Sequence, residues 1–349
     1  MKRMILFLSL LGAIIIILWS CSDDSSTDPE PTLSEKFQEA LDDGLASFNG
    51  KGVSAAVIMP DGFKWVGVSG ISHGTTKITK EMASSYPYID STITIRQLLN
   101  HTSGISDFVD NHDCWVALFE DPSKVWTVDE IIQTYQQESL FPKGTDWNYS
   151  SSGYLLLRKI IMDITESDIV TVNEERFWEP FNLTHSFTLQ GESVFPMTVA
   201  HGWWDLDSDG AYDDFYSWPR AGFSSAACGE VWSTAEDLAE WAKALFLDKT
   251  VLSQSYLDQM LDFHSPCTGE EDMCAGYGLG AVLFNPQLFN GITAYGHSGN
   301  APGYAAASIY LPDYGVCIGL MDNTEEGESV AMSLINIINV ITEEVEDIP

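Results

Sequence analysis

Apolar residues recur along this chain at two spacings, and each spacing predicts one kind of secondary structure. Helical spacing of three and four residues predicts amphipathic helices near both ends and through the middle, at 33–48, 128–139, 150–164, 233–246, 253–263 and 330–345. Runs rich in β-branched and aromatic residues predict strands at 53–59, 63–69, 280–284, 293–297, 305–311 and 316–321. Both ends of the chain therefore supply strands and a helix, whereas the middle is helical.

This order of elements predicts an α+β fold with two lobes in one domain at 33–349. One lobe, built from about 33–90 and 265–349, is an antiparallel sheet flanked by the terminal helices. The other lobe, at about 91–264, is an all-helical insert. A cleft between two lobes is the usual place for a ligand site, so we expect the functional residues where the lobes meet.

The first twenty residues predict an export signal that is removed from the mature protein. Lys2 and Arg3 precede an apolar run at 4–19 that is short for a membrane span. The residues ending at Cys21 resemble a bacterial lipobox, in which Cys21 is the lipidated first residue of the mature chain. The alternative is an ordinary signal peptide with an incidental cysteine.

The segment at 21–32 is polar and acidic, which predicts a disordered tether. We therefore expect an extracytoplasmic protein that is lipid-anchored to a bacterial membrane. Asp23 and Asp24 follow the lipid cysteine directly, and this acidic start is compatible with the outer membrane and exposure on the cell surface.

The formal net charge of −35 excludes one class of partner. Without Lys2 and Arg3, 14 basic residues face 51 acidic ones, which gives −37 for the mature chain. Such a chain repels nucleic acid and anionic membrane surfaces, so we expect no nucleic-acid partner and membrane contact only through the lipid anchor.

Two local patterns bear on stability. Cys267 and Cys274 have six residues between them, which predicts a disulfide-closed loop outside the cytoplasm, and no histidine stands at ligand spacing for zinc. A second loop carries carboxylates at positions 1, 3, 5 and 9 of an EF-hand-like pattern and glycine at position 6. Its twelfth residue is tyrosine rather than glutamate, so both a structural calcium site and a solvated acidic turn stay open for Asp205, Asp207, Asp209 and Asp213.

Four stretches in fixed order carry a resemblance to a known family. They are 92–105, with the string His-Thr-Ser-Gly, 141–156, with Tyr149-Ser-Ser151, the helix at 233–246, and 296–304, with Gly-His297-Ser298-Gly299. Together they resemble the serine beta-lactamase and D-Ala-D-Ala carboxypeptidase superfamily, in particular its class C-like and esterase-like branch. The resemblance covers nearly all of the mature chain.

The resemblance implies roles for individual residues. Tyr149 takes the place of the proton shuttle beside the nucleophile, and Ser151 takes the place of the substrate-binding asparagine. His297 stands where the family carries a lysine, and Ser298 and Gly299 follow it as substrate-binding residues. Because histidine is mostly neutral at pH 7, a fixed cation for a substrate carboxylate is lost, which argues against penicillins.

The family reaction is acyl transfer to a serine followed by hydrolysis of a peptide, amide or ester. It requires no cofactor, so the resemblance leaves calcium as the one structural candidate. We expect a monomer whose partner is a small peptide, amide or ester ligand.

The nucleophile motif of that family, Ser-x-x-Lys, does not occur in this sequence. The residues at 78–90 run directly toward the first family string, so the central nucleophile helix is apparently deleted, and its loss predicts a cavity between the lobes. Ser72 matches a Gly-x-Ser-x-Gly elbow without the helix that the elbow requires. Ser103, Ser150 and Ser298 would each need an unrelated base.

Two hypotheses follow from this missing motif. The first is a serine hydrolase of D-Ala-D-Ala carboxypeptidase or esterase type whose activity is impaired in this chain. The second is a non-catalytic surface lipoprotein that binds cell-wall peptides or other acyl ligands. Labelling of a serine by an acylating probe separates the two.

Overall fold

The computed structural model describes the chain from Tyr88 to Leu189 apart from residue 91, and then in segments to residue 345. These segments are 199–205, 209, 213–214, 221–226, 231–263, 265, 267, 273–323 and 328–345. Nearer the N-terminus it describes the strand backbones at 52–58, 64–73 and 76–77 and the residues 32, 34–36, 38–39 and 42. The predictions at Cys21, 21–31 and Asp207 lie outside the described residues.

A five-stranded antiparallel sheet forms the C-terminal half of the described fold. Its spatial order is β12-β11-β10-β9-β8, so each strand pairs with its neighbour in sequence. The strands are β8 (Cys274–Tyr277), β9 (Val282–Phe284), β10 (Tyr295–Ala301), β11 (Tyr304–Leu311) and β12 (Val316–Asp322). The turn after β10 uses Gly303, which lies in the left-handed region at φ 80°.

A second sheet comes from the N-terminal part of the chain and has the order β1-β2-β3. β1 (Gly52–Ile58) pairs antiparallel with β2 (Lys64–His73), and the two correspond to the predicted strands at 53–59 and 63–69. Ser72 lies inside β2, which turns into another strand, β3 (Thr76–Lys77), rather than into a helix. The Gly-x-Ser-x-Gly match therefore lacks the strand–turn–helix geometry of a nucleophile elbow.

Helices fill the region between the two sheets in sequence. They are α1 (Ile95–Leu99), α2 (His112–Glu120), α3 (Val128–Tyr135), α4 (Ser151–Thr165), α5 (Ile169–Asn173), α6 (Ala221–Ala226), α7 (Ala235–Ala242) and α8 (Gln254–Met260). The π-helical turns Glu174–Trp178 and Lys243–Leu247 extend α5 and α7. α9 (Glu328–Val345) closes the described chain. None of the helices in the described part is long and apolar enough to cross a membrane.

The five-stranded sheet is covered on both faces. Ala305, Ala307 and Ile309 face one side, where they pack with Leu334 and Ile338 of α9. Residues that alternate with them in β11 face α7, and Ser308 donates its hydroxyl to the carbonyl of Leu238 at 2.9 Å.

The helical part has its own core beneath α2, α3 and α4. Ile131, Ile132 and Leu155 are fully buried there, and Phe108 and Phe223 pack beside them. Separate cores on the sheet and in the helical part explain the two-lobed α+β arrangement, so the predicted fold is confirmed. The lobe boundaries themselves stay predictions.

Short hairpins interrupt the helical region where the sequence pattern predicts none. β4 (Phe187–Thr188) pairs with β7 (Val231–Trp232), and β5 (Trp203–Trp204) pairs with β6 (Asp213–Asp214). The EF-hand-like pattern thus starts directly after β5 and includes β6, so the described residues beside it form strands rather than the helices of an EF-hand.

Candidate functional site

Tyr149 lies directly before α4, at the junction between the helical part and the sheet. Ser150 caps this helix, because its hydroxyl accepts the N–H of Gly153 at 3.2 Å. Asp107 accepts the N–H of Ser151 at 2.7 Å and also bonds the Ser151 hydroxyl. Burial raises the pKa of the Asp107 carboxyl, although these hydrogen bonds oppose the change. The helix start that presents Tyr149 is therefore held by buried polar contacts.

Ser151 is buried, and its polar groups bond Asp107 in this structure. The sequence places Ser151 where relatives carry a substrate-binding asparagine, and that role for Ser151 stays a prediction. A ligand would have to compete with Asp107 for the Ser151 hydroxyl.

His101 forms the floor beneath Tyr149. Its side chain is buried at 1% exposure, and its backbone lies in the left-handed region at φ 60°. The Tyr149 ring packs against the imidazole with centroids 4.2 Å apart and ring planes tilted by 34°, and the Tyr154, Tyr277 and Trp147 rings lie at 5.1, 4.7 and 6.0 Å from it. His101 thus joins aromatic residues from both lobes.

A chain of hydrogen bonds runs from α4 through His101 to β10. The N–H of Ser150 reaches Nδ1 of His101 at 3.1 Å, and Nε2 of His101 lies 3.1 Å from the Tyr277 hydroxyl. The same hydroxyl lies 2.9 Å from Nε2 of His297, and Nδ1 of His297 contacts the carbonyl of Ser298.

The two ends of this series of hydrogen bonds determine which atom carries each proton in it. A backbone N–H can only donate, so Nδ1 of His101 accepts and its Nε2–H donates to Tyr277. A carbonyl can only accept, so Nδ1 of His297 carries a proton and its Nε2 accepts from the Tyr277 hydroxyl. Both histidines are then neutral, and both nitrogens of His297 are bonded within the protein.

Burial favours the same neutral state. It lowers the pKa of His101 to about 3, and the nearby His297 adds to this effect. Burial also lowers the pKa of His297, although its hydrogen bond to the Ser298 carbonyl works in the opposite direction. His297 therefore supplies no fixed positive charge at neutral pH.

The predicted residues at β10 divide between the two faces of the sheet. His297 pairs with Ser308 on the face toward α7, and its ring centroid lies 6.4 Å from that of Tyr149. Ser298 pairs with Ala307, which belongs to the core beneath α9, so its side chain lies on the opposite face. Gly299 is exposed and returns to the His297 face. The structure thus brings Tyr149 and His297 together and directs Ser298 away from them.

Other serines near the site are used in local structure. Ser103 is buried and accepts the N–H of Ile105, and Ser150 is buried as a helix cap. Several lysines form ion pairs with carboxylates, including Lys124, Lys143, Lys159 and Lys243. The described contacts at Tyr149, His101 and Tyr277 include no lysine.

The remaining predicted residues lie away from Tyr149. The structure pairs Cys267 with Cys274 in a disulfide whose Cα atoms are 5.9 Å apart. The N–H of Asp209 donates to Asp205, and within the described segments no three acidic, histidine or cysteine side chains converge as metal ligands. With Asp207 outside those segments, calcium at this loop stays a prediction.

Sequence reasoning missed Tyr277 and identified His101 only as part of the family string at 92–105. The available signal for His101 was its place in the polar stretch Asn-His-Thr-Ser before Gly104. Tyr277 lies in Gly-Tyr-Gly-Leu-Gly at 276–280, where closely spaced glycines indicate a tightly packed backbone. Neither pattern reveals a contact across 176 residues of sequence.

This fold agrees with the comparisons to known proteins. The Beta-lactamase family model matches residues 84–340, and the chain belongs to that family. Penicillin-binding protein 4* of Bacillus subtilis is 26% identical over 72% of this chain, and the chain spans 55% of that relative's length.

Solved structures share the fold at lower identity. A D-stereospecific amidohydrolase from Streptomyces sp. has a TM-score of 0.61 and 22% identity, over 85% of this chain and 95% of its own. The D-amino acid amidase of Ochrobactrum anthropi SV3, complexed with L-phenylalanine amide, has a TM-score of 0.58 and 21% identity, over 89% and 97%. The protein is thus a member of the Beta-lactamase family of serine hydrolases and is similar to penicillin-binding proteins. It shares its fold with these amidohydrolase and amidase structures.

Proposed function

We propose that this chain binds a D-amino-acid amide, short peptide or ester between Tyr149 and His297 and turns it over poorly or not at all. The observation that carries the proposal is the pairing of two features. The cleft keeps the Tyr149–His297 arrangement, while the sequence has no Ser-x-x-Lys to form an acyl-enzyme. The amidase complex with an amide ligand supports this class of ligand.

The neutral state of His297 favours amides and esters over ligands that need a cation for a carboxylate. Both ring nitrogens of His297 already have partners, so protonation would disturb the hydrogen bond from Tyr277. Tyr149, which is 37% exposed, and the exposed backbone of β10 at Gly299 offer polar groups to an amide. The proposal therefore predicts that a terminal carboxylate on the ligand adds little to its affinity.

Calorimetric titration with D-alaninamide tests binding. We expect saturable binding to the wild type and at least about tenfold weaker binding to Tyr149→Ala, because the ligand loses both a ring contact and a polar partner. Tyr314→Ala, at a turn remote from the cleft, is the matched control and should bind like the wild type. Equal binding by wild type and Tyr149→Ala would contradict the proposal.

Turnover is tested separately with a fluorophosphonate probe and peptide mass spectrometry on the folded protein. The expected result is no labelled serine. A labelled serine together with release of ammonia from D-alaninamide would instead support an active hydrolase, the alternative function for this family. In that case the labelled peptide would identify the nucleophile.

The proposal also includes the cellular location of the protein. We propose that Cys21 carries a lipid anchor outside the cytoplasm, on the basis of the lipobox-like sequence before it. Cys21→Ala should release the protein from the membrane fraction into a soluble one. Retention of Cys21→Ala in the membrane fraction would contradict the anchor.

A further inference from the structure

A cavity of about 430 Å³ lies beside His297, which forms part of its lining. β10 and β11 form its floor, and α7 and the π-helical turn Glu174–Trp178 form its walls. Its apolar lining includes Phe177, Trp178, Leu238, Trp241 and Ala306. The volume falls within the range of small-molecule sites, roughly 300–1,000 Å³.

The strand register connects this cavity to the proposed cleft. His297 pairs with Ser308 and Gly299 pairs with Ala306, and directly paired residues of antiparallel strands share one face. The His297 side chain and the cavity floor at Ala306 therefore lie on the same face of the sheet. His297 both lines the cavity and neighbours Tyr149, so the cavity and the proposed cleft share this residue.

Two polar side chains of the cavity wall have protein partners, whereas the buried indole N–H of Trp178 has none among the described residues. The Asp237 carboxylate accepts the N–H of His185 at 2.8 Å and the hydroxyl of Ser186 at 2.9 Å. Asn173 donates to the hydroxyl of Thr188 at 2.9 Å. A ligand group that enters the cavity thus meets aromatic rings beside the hydrogen-bonded side chains of Asp237 and Asn173, and the Asp237 charge disfavours an acidic group.

We propose that this cavity holds the apolar side chain of the ligand, of aromatic size, while the ligand's amide lies between Tyr149 and His297. The proposal rests on the proposed function and specifies its substrate class as amides of aromatic or large aliphatic D-amino acids. The phenyl ring of such a ligand would lie near Phe177 and Trp241, whose rings already pack edge to face at 5.5 Å.

The test compares D-phenylalaninamide with D-alaninamide by calorimetric titration. The wild type should bind the phenyl ligand at least about tenfold more tightly, as expected when an apolar group fills an apolar pocket. Ala306→Leu fills the cavity floor and should remove this advantage without changing D-alaninamide binding. Ala235→Leu, which adds the same volume at the exposed start of α7, should keep the advantage.

A second variant covers the case in which Ala306→Leu fails to fold. Trp241→Phe enlarges the cavity and should shift preference from D-phenylalaninamide toward D-tryptophanamide by several-fold. If D-alaninamide binds and the phenyl ligand gains nothing, or Ala306→Leu keeps the gain, the cavity proposal is overturned while the proposed function stands. If neither amide binds the wild type, both proposals are overturned.

Discussion

The hydroxyl of Tyr277 donates a hydrogen bond of 2.9 Å to Nε2 of His297 from a side chain that is 2% exposed. The same hydroxyl accepts from His101 at 3.1 Å. Tyr277 therefore couples the helical part, through His101 and Ser150, to the strand that carries His297. Its removal should affect stability and histidine protonation together.

Tyr277→Phe should lower the free energy of unfolding by about 1–3 kcal/mol, because it leaves buried groups of both histidines without a partner. Urea titration measures the loss. In ¹⁵N spectra, His297 should show a raised pKa, because its neutral form loses the donor at Nε2. Tyr310→Phe is the control, since its hydroxyl has no hydrogen bond to a described residue. Equal effects of the two variants would contradict the role of Tyr277.

Unfolding should depend on pH in the range where histidines titrate. Burial lowers the folded-state pKa of His101 to about 3, whereas an unfolded histidine titrates near 6.5. The stability contributed by neutral His101 is therefore complete above about pH 6.5. It falls by about 1.4 kcal/mol per pH unit as the pH drops toward 3. His297, whose pKa is lowered as well, adds to the same slope.

His101→Asn isolates this contribution, because asparagine tolerates the left-handed backbone at this position. Between pH 6.5 and 5 the variant should take up about one proton fewer on unfolding than the wild type. Asp90 does not interfere there, because its hydrogen bond to Lys143 holds its pKa at about 2. An unchanged slope in His101→Asn would show that His101 is not neutral in the folded protein.

The sequence predicted the elements of the fold because their signals are local. The apolar spacing at 150–164 corresponds to α4 (Ser151–Thr165), and the run at 305–311 corresponds to β11 (Tyr304–Leu311). Val128 to Ser139 was predicted too long, since α3 ends at Tyr135. Gln136 then leaves the helix and bonds Ser106 with its side chain, a contact between distant segments.

The candidate site was predicted only in part, because its contacts are not local. Tyr149 and His297 were identifiable from family motifs. The ring contact of Tyr149 with His101 and the hydrogen bond from Tyr277 to His297 depend on how the two lobes pack. The placement of Ser298 on the opposite face follows from strand register, which a motif string does not encode.

Asp107→Asn should destabilise the start of α4. The carboxylate accepts N–H groups from Ser151 at 2.7 Å and from Val109 at 3.2 Å, and an amide nitrogen cannot replace an acceptor. The expected loss is about 1–3 kcal/mol in urea unfolding. Asp110→Asn, nearby and exposed, serves as the control and should change stability little. A wild-type midpoint for Asp107→Asn would mean that these bonds do not stabilise the helix start.

Reduction of the disulfide between Cys267 and Cys274 should destabilise the region around Tyr277. The bond closes a short loop, for which chain entropy predicts about 2–3 kcal/mol. Trp147 and Tyr277 pack against these cysteines, so the histidine contacts should weaken as well. Thermal unfolding with and without a reductant measures the effect. The double variant Cys267→Ala/Cys274→Ala should be insensitive to reductant; a reductant effect in this variant would point to another cysteine pair.

Gly319→Ala should separate α7 from β12. A Cβ atom at Gly319 would lie 2.0 Å from the carbonyl oxygen of Ala235 and 2.8 Å from the nitrogen of Ala239, both backbone atoms that cannot move aside. The expected loss is about 1–3 kcal/mol or more, because the helix must shift to accept a methyl group. At Gly299, on the same face of the sheet, no heavy atom lies within 4 Å of the added Cβ. The free energy of unfolding of Gly299→Ala should therefore lie within about 0.5 kcal/mol of the wild-type value.

Because α7 also carries Leu238 and Trp241 of the cavity wall, Gly319→Ala should weaken D-phenylalaninamide binding more than D-alaninamide binding. Equal unfolding midpoints for the two glycine variants would contradict the close packing of α7 on β12.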